Sequence, residues 1–160
     1  MRLPDVVSQA RRLAVALLVA AAPWPALAVD SEPSQALGTD VDYVAARAAH
    51  DRRDWKEAVA RLHRAERRFP DNADLHNSLG YAYRQLRQFD AAFKHYKTAL
   101  ANDPRHRGAH EYIGEAYLLV DDLASAEKHV AALKQICLLP CEELRDLEKS
   151  VAAYKARKKP

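Results

Sequence analysis

The run ADLHNSLGYAYRQLRQFDAAFKHYKTALANDP, residues 73–104, decides the fold. Its skeleton is His76-x2-Leu79-Gly80-x2-Tyr83, then Phe89, Ala92-x3-Tyr96, Ala99 and a closing Pro104. Gly80 and the small alanines let two helices approach closely, while the tyrosines and Phe89 fill the space between them. The pattern recurs on both sides at a 34-residue step, which links Ala46, Gly80 and Gly114; Ala49, Tyr83 and Tyr117; Trp55, Phe89 and Leu123; and Ala58, Ala92 and Ala126. Columns in register at a fixed period are the mark of a repeat architecture, in which stacked units share one core.

The skeleton resembles the tetratricopeptide repeat family, whose unit is a pair of antiparallel helices closed by a proline. The resemblance covers about Gly38 to Leu138 and implies an all-α fold of three helix-turn-helix repeats in a right-handed solenoid, at about 40–72, 73–106 and 107–138. Pro70 and Pro104 close the first two repeats, whereas Leu138 stands at the third such position and Pro140 follows two residues later. Repeat one carries Asp42, Ala45, Ala46 and Ala49 where the family prefers bulkier residues. The expected helices are Val41 to Arg52 and Asp54 to Arg68, Ala73 to Leu86 and Phe89 to Asn102, and Gly108 to Val120 and Leu123 to Ile136. Asp54 is the expected N-cap of its helix, with Glu57 three residues on as in a capping box. No segment alternates apolar and polar residues as a strand does.

Arg2, Arg11 and Arg12 precede an apolar run from Leu13 to Ala22, a Pro-Trp-Pro break and Ala26-Leu27-Ala28. That order is the pattern of a secretory signal peptide cut after Ala28. The apolar run is about half the roughly 20 residues a membrane span needs, so no stable anchor is expected after cleavage. Cleavage removes three of 25 basic and one of 22 acidic side chains, leaving a net charge near +1. The high isoelectric point therefore gives no argument for nucleic acid. Residues 29–39 hold Asp30, Glu32, Pro33 and Gly38 without helical spacing and are expected to be a flexible acidic tail. The leader and the alanine- and arginine-rich composition point to a bacterial periplasm.

Residues 139–160 are expected to form a capping helix and a basic tail, with Leu144, Leu147, Val151 and Tyr154 on one helical face. The last repeat of a solenoid needs such a cover. Cys137 and Cys141 are the only cysteines. In an exported chain an even count argues for a disulfide, here one fixing the cap against the solenoid. The alternatives are a thiol-redox pair or a Cu(I) site, although no Met or His lies within the turn to complete one.

By resemblance to the family's groove positions, the concave face should present Tyr43, Arg47 and His50 from repeat one, Asn77, Tyr81 and Arg84 from repeat two, and Glu111, Glu115 and Leu118 from repeat three. Such a face is basic at one end and acidic at the other, which suits an extended peptide of mixed charge. The lysine and asparagine set of the family's carboxylate clamp is absent apart from Asn77, which sits in a different slot. His76 and His110 hold equivalent positions that the family fills with a large ring, so they are expected to pack, and neither a metal nor another cofactor is expected. There is no nucleophile elbow, phosphate loop or H-E-x-x-H. The expected function is a non-enzymatic adaptor that binds a protein or peptide, with a homo-oligomer as a further possibility for the groove.

Overall fold

A computed structural model describes residues 33–158, with side chains from Ala36 onward. Among these residues there are eight helices and no strand. Three helical hairpins follow one another: α2 (Val41–Asp51) with α3 (Trp55–Glu66), α4 (Ala73–Gln85) with α5 (Phe89–Asn102), and α6 (Arg107–Leu119) with α7 (Leu123–Ile136). The short α1 (Pro33–Gly38) precedes them and α8 (Glu142–Arg157) follows, packed on α6 and α7. No helix among the described residues is long and apolar enough to cross a membrane. The expected leader at 1–28 lies outside the described residues, as does Lys159.

One turn chemistry is used three times. Arg53, Arg87 and Asp121 lie in the left-handed region, with φ of 58°, 58° and 62°. In each case the next amide reaches back to the preceding helix: Asp54 N–H to Ala49 O, Gln88 N–H to Tyr83 O and Asp122 N–H to Tyr117 O, all 2.9 Å. This is a Schellman closure made without glycine, and the left-handed residue reverses the chain. The residue after it caps the following helix. Asp54 Oδ1 accepts from Glu57 N–H at 3.2 Å and Asp122 Oδ1 from Ser125 N–H at 3.0 Å, whereas Gln88 makes no side-chain cap bond.

The core is a row of three apolar clusters, one between each pair of neighbouring hairpins and one beneath α8. Gly80 allows the fully buried Tyr96 ring to lie on α4: a Cβ there would stand 2.5 Å from ring atom Cδ1. Gly114 gives the same room to Leu147 of α8, so the cap fills a notch that an alanine would close.

The amino-terminal segment departs from expectation. Residues 33–38 are helical, and Leu37, only 2% exposed, joins Ala46, Ala49 and Leu62 in the first cluster. The expected flexible tail at 29–39 is corrected to that extent. A single leucine carries no periodicity, yet it covers apolar surface that the small residues of α2 leave open. Below it, Arg68 donates to Asp40 Oδ1 and Oδ2 at 2.7 Å and to Asp42 Oδ2 at 2.8 Å, while Asp40 Oδ1 caps α2 by accepting from Asp42 and Tyr43 N–H at 3.0 Å.

Candidate functional site

The first helices of hairpins one and two form the walls of a cavity of about 310 Å³. Tyr43, Arg47 and His50 enter from α2, Asn77, Ser78 and Tyr81 from α4, and Tyr112 from α6. Rings run along it in sequence: Trp55 to His50 at 5.2 Å between centroids, His50 to Tyr81 at 5.1 Å and Tyr81 to Tyr112 at 5.1 Å. Asn77 Oδ1 is buried without a hydrogen-bond partner among the described residues. An amide oxygen removed from water and left unpaired costs about 1–3 kcal/mol, so a donor entering the cavity would be favoured once the Asn77 side chain turns its oxygen toward it.

The other expected groove residues are placed differently. Arg84 is 9% exposed, packs its guanidinium 5.0 Å from the Tyr81 ring and 5.3 Å from the Tyr112 ring, and pairs through Nη1 with Glu115. Ser150 of α8 donates to the other Glu115 oxygen at 3.1 Å. Arg84 and Glu115 therefore brace α4, α6 and α8 together and are not free groove charges. Leu118 is buried in the cluster beneath α8. The reason is the cap: α8 lies against α6 and covers the third-repeat end of the concave face.

Glu111 marks the edge of that covered end. Burial, reinforced by the nearby carboxylates of Glu115, Asp146 and Glu143, pushes its pKa up to about 7. A cationic group brought alongside would return Glu111 to the charged form.

A family model described as tetratricopeptide repeat matches residues 43–105 and again 81–137. The chain belongs to the tetratricopeptide repeat family. Twenty-four solved chains match it, among them the TPR2B domain of yeast Sti1 in its complex with pHsp70. That match has a TM-score of 0.67 at 19% identity and covers 73% of this chain and 95% of the Sti1 chain, which shows a shared fold. No curated protein sequence matches the chain. Membership supports a protein-interaction scaffold in general, since tetratricopeptide repeats are typically binding modules without catalysis.

Against the tetratricopeptide period, a second group of polar residues becomes visible: the expected packing positions His76 and His110 each face a histidine that sequence reasoning missed. His76 Nδ1 lies 3.1 Å from His95 Nδ1, and one repeat later His110 Nδ1 lies 2.9 Å from His129 Nδ1. In repeat one the corresponding residues are Asp42 and Arg61, which form a 3.4 Å ion pair. The signal was present in the sequence as two histidine pairs 19 residues apart, displaced by one period.

The cysteines close the third hairpin onto α8. Their sulfur atoms stand at bonding distance with the Cα atoms 6.0 Å apart, and the loop between them carries Leu138 and Leu139, 92% and 79% exposed.

Proposed function

We propose that this chain is an exported, non-enzymatic adaptor of the bacterial periplasm that holds an extended segment of a partner protein across α2 and α4. The observation that carries this reading is the cavity lined by His50, Asn77, Tyr81 and Tyr112, with the Asn77 amide oxygen left unpaired beside it. An extended chain offers backbone N–H groups to such an acceptor, and its side chains can lie against the rings. Arg47, exposed at the repeat-one end, would meet an acidic side chain, while a basic one would approach Glu111. The similar Sti1 domain was solved with pHsp70, which is the same kind of use for this fold. The short groove, about two repeats long once α8 is in place, gives modest affinity. In this reading Cys137 and Cys141 are disulfide-bonded and hold α8 over the third repeat, and the leader is removed after Ala28.

The test is a photo-crosslinking residue at Arg47 in living cells; Arg84 is unsuitable because it is buried. The reading expects one dominant adduct with another protein, lost when Asn77 and Tyr81 are both changed to alanine in a protein that still folds. Adducts with itself alone would indicate a homo-oligomer, and no adduct at all would leave the groove without a partner; either contradicts the proposal.

A further inference from the structure

The His76–His95 pair of repeat two differs from its copy, His110–His129, in repeat three. His76 Nε2 donates to Pro70 O at 2.6 Å, which fixes its proton on that nitrogen and leaves Nδ1 as a lone pair. His110 does the same with Pro104 O at 3.1 Å. Glu66, however, has no counterpart in the next repeat, where Leu100 stands one period on. Glu66 Oε1 lies 3.7 Å from His76 Nδ1 and 4.0 Å from His95 Nδ1. Its other oxygen, Oε2, accepts from His63 Nδ1 at 2.8 Å, and His63 Nε2 is 2.6 Å from the Tyr83 hydroxyl. His63 also lacks a histidine counterpart, since Lys97 occupies that place.

We propose that Glu66, His76 and His95 bind a zinc-type divalent cation that ties repeat one to repeat two. Three potential ligand atoms, one from each group, lie within 4.8 Å of one another. In a tetrahedral site with metal bonds of about 2.0–2.1 Å the ligand atoms stand about 3.3–3.4 Å apart, so the observed separations bracket what is needed. Two imidazoles and one carboxylate are the donor set borderline metals prefer, and a water would complete the shell. The outer partners are also of the right kind. Metal-binding histidines hand their second N–H to a carbonyl, as His76 does to Pro70, and the ligating carboxylate is itself held, as Glu66 is by His63.

The two rings are within 21° of parallel, and the pair as it stands shares one proton between facing Nδ1 atoms. Binding the cation moves the His95 proton from Nδ1 to Nε2 and tilts both rings so that their lone pairs converge. His76 and His95 side chains are 6% and 8% exposed, whereas Glu66 and His63 are 29% and 39% exposed, so the ion enters past the Glu66 side. The ligands come from α3, α4 and α5, and occupancy would therefore stiffen the junction behind the groove. This proposal stands independently of the groove reading.

The test uses tag-free, metal-stripped protein titrated with Zn²⁺ by calorimetry and with Co²⁺ by visible absorption. The expected result is one equivalent bound at micromolar concentration or tighter, a four-coordinate Co²⁺ spectrum and a raised melting temperature. Glu66→Leu, which copies Leu100 at the same place one period on in repeat two, should keep the helical circular dichroism and weaken binding at least ~10-fold. His129→Asn, in the pair without a carboxylate, should leave binding unchanged. No saturable binding by the folded protein overturns the proposal, as does binding that survives Glu66→Leu or disappears with His129→Asn.

Discussion

Replacing Gly80 by alanine is the sharpest structural test of how the repeats pack. The added methyl would lie 2.5, 2.6 and 2.9 Å from Tyr96 Cδ1, Cε1 and Cγ. Ordinary carbon contacts are about 3.5–4.0 Å, so the overlap is close to 1 Å across a rigid ring. Tyr96 is fully buried, and α4 must therefore separate from α5. Overpacking of this kind costs about 1–3 kcal/mol, against about 1 kcal/mol gained from alanine's better helix propensity. The enclosed ring places Gly80→Ala at the upper end, a net loss near 2 kcal/mol. For a domain of this size each kcal/mol moves the midpoint by roughly 3–5 °C, so thermal unfolding followed by circular dichroism should fall by about 6–10 °C. Gly114→Ala meets Leu147 Cδ2 at 2.7 Å and Cδ1 at 2.8 Å, the ends of a side chain that can change rotamer, so it should cost less. A Gly80→Ala protein as stable as the parent, or a Gly114→Ala protein that loses more, would refute the reasoning.

Gln88 has nearly the backbone of its capping counterparts, φ −90° and ψ 71° beside −85° and 76° at Asp54, but no cap bond, so Gln88→Asp should stabilise by roughly 0.5–1.5 kcal/mol in urea unfolding. Glu111 keeps a proton in the folded state between its ordinary 4.5 and about 7, so its contribution to stability declines as pH rises through that window. Glu111→Gln should accordingly gain on the parent protein between pH 4.5 and pH 8, and a constant difference in urea midpoints would count against the burial assigned to Glu111. The proposed Cys137–Cys141 bridge closes only a short loop in the unfolded chain, so urea unfolding with and without reductant should differ by only about 2 kcal/mol. A protein whose two thiols react freely with a thiol reagent before reduction would contradict the bridge.

Much of the solenoid was legible because its determinants repeat: the small residues at Ala46, Gly80 and Gly114 and the aromatic column at Tyr83 and Tyr117 sit on a fixed period that local reading detects. The capping face of α8 was equally plain, since Leu147, Val151 and Tyr154 are buried at helical spacing. Arg84 was expected as a free groove charge because it matches a groove position of the tetratricopeptide repeat family, and only the fold brings up Glu115 to pair with it and Ser150 to fix that partner. Leu118 was expected in the groove for the same reason, with the position of α8 unknown. The His76 and His95 contact escaped notice because it joins successive helices across a turn, where spacing within one helix says nothing. Leu37 shows the limit in the other direction, a single apolar residue in a polar segment that docks because the small side chains of α2 leave room.

The central claim is that α2 and α4 together hold an extended partner segment. The most direct measurement is an NMR titration of the isotope-labelled protein with the segment mapped from the Arg47 crosslink, observing the Asn77 side-chain amide together with the backbone amides. The account predicts saturable shifts at Asn77, Tyr81, Tyr43 and His50, abolished by Asn77→Ala with Tyr81→Ala. Shifts confined to the exposed Leu138 and Leu139 loop, with Asn77 unmoved, would contradict it.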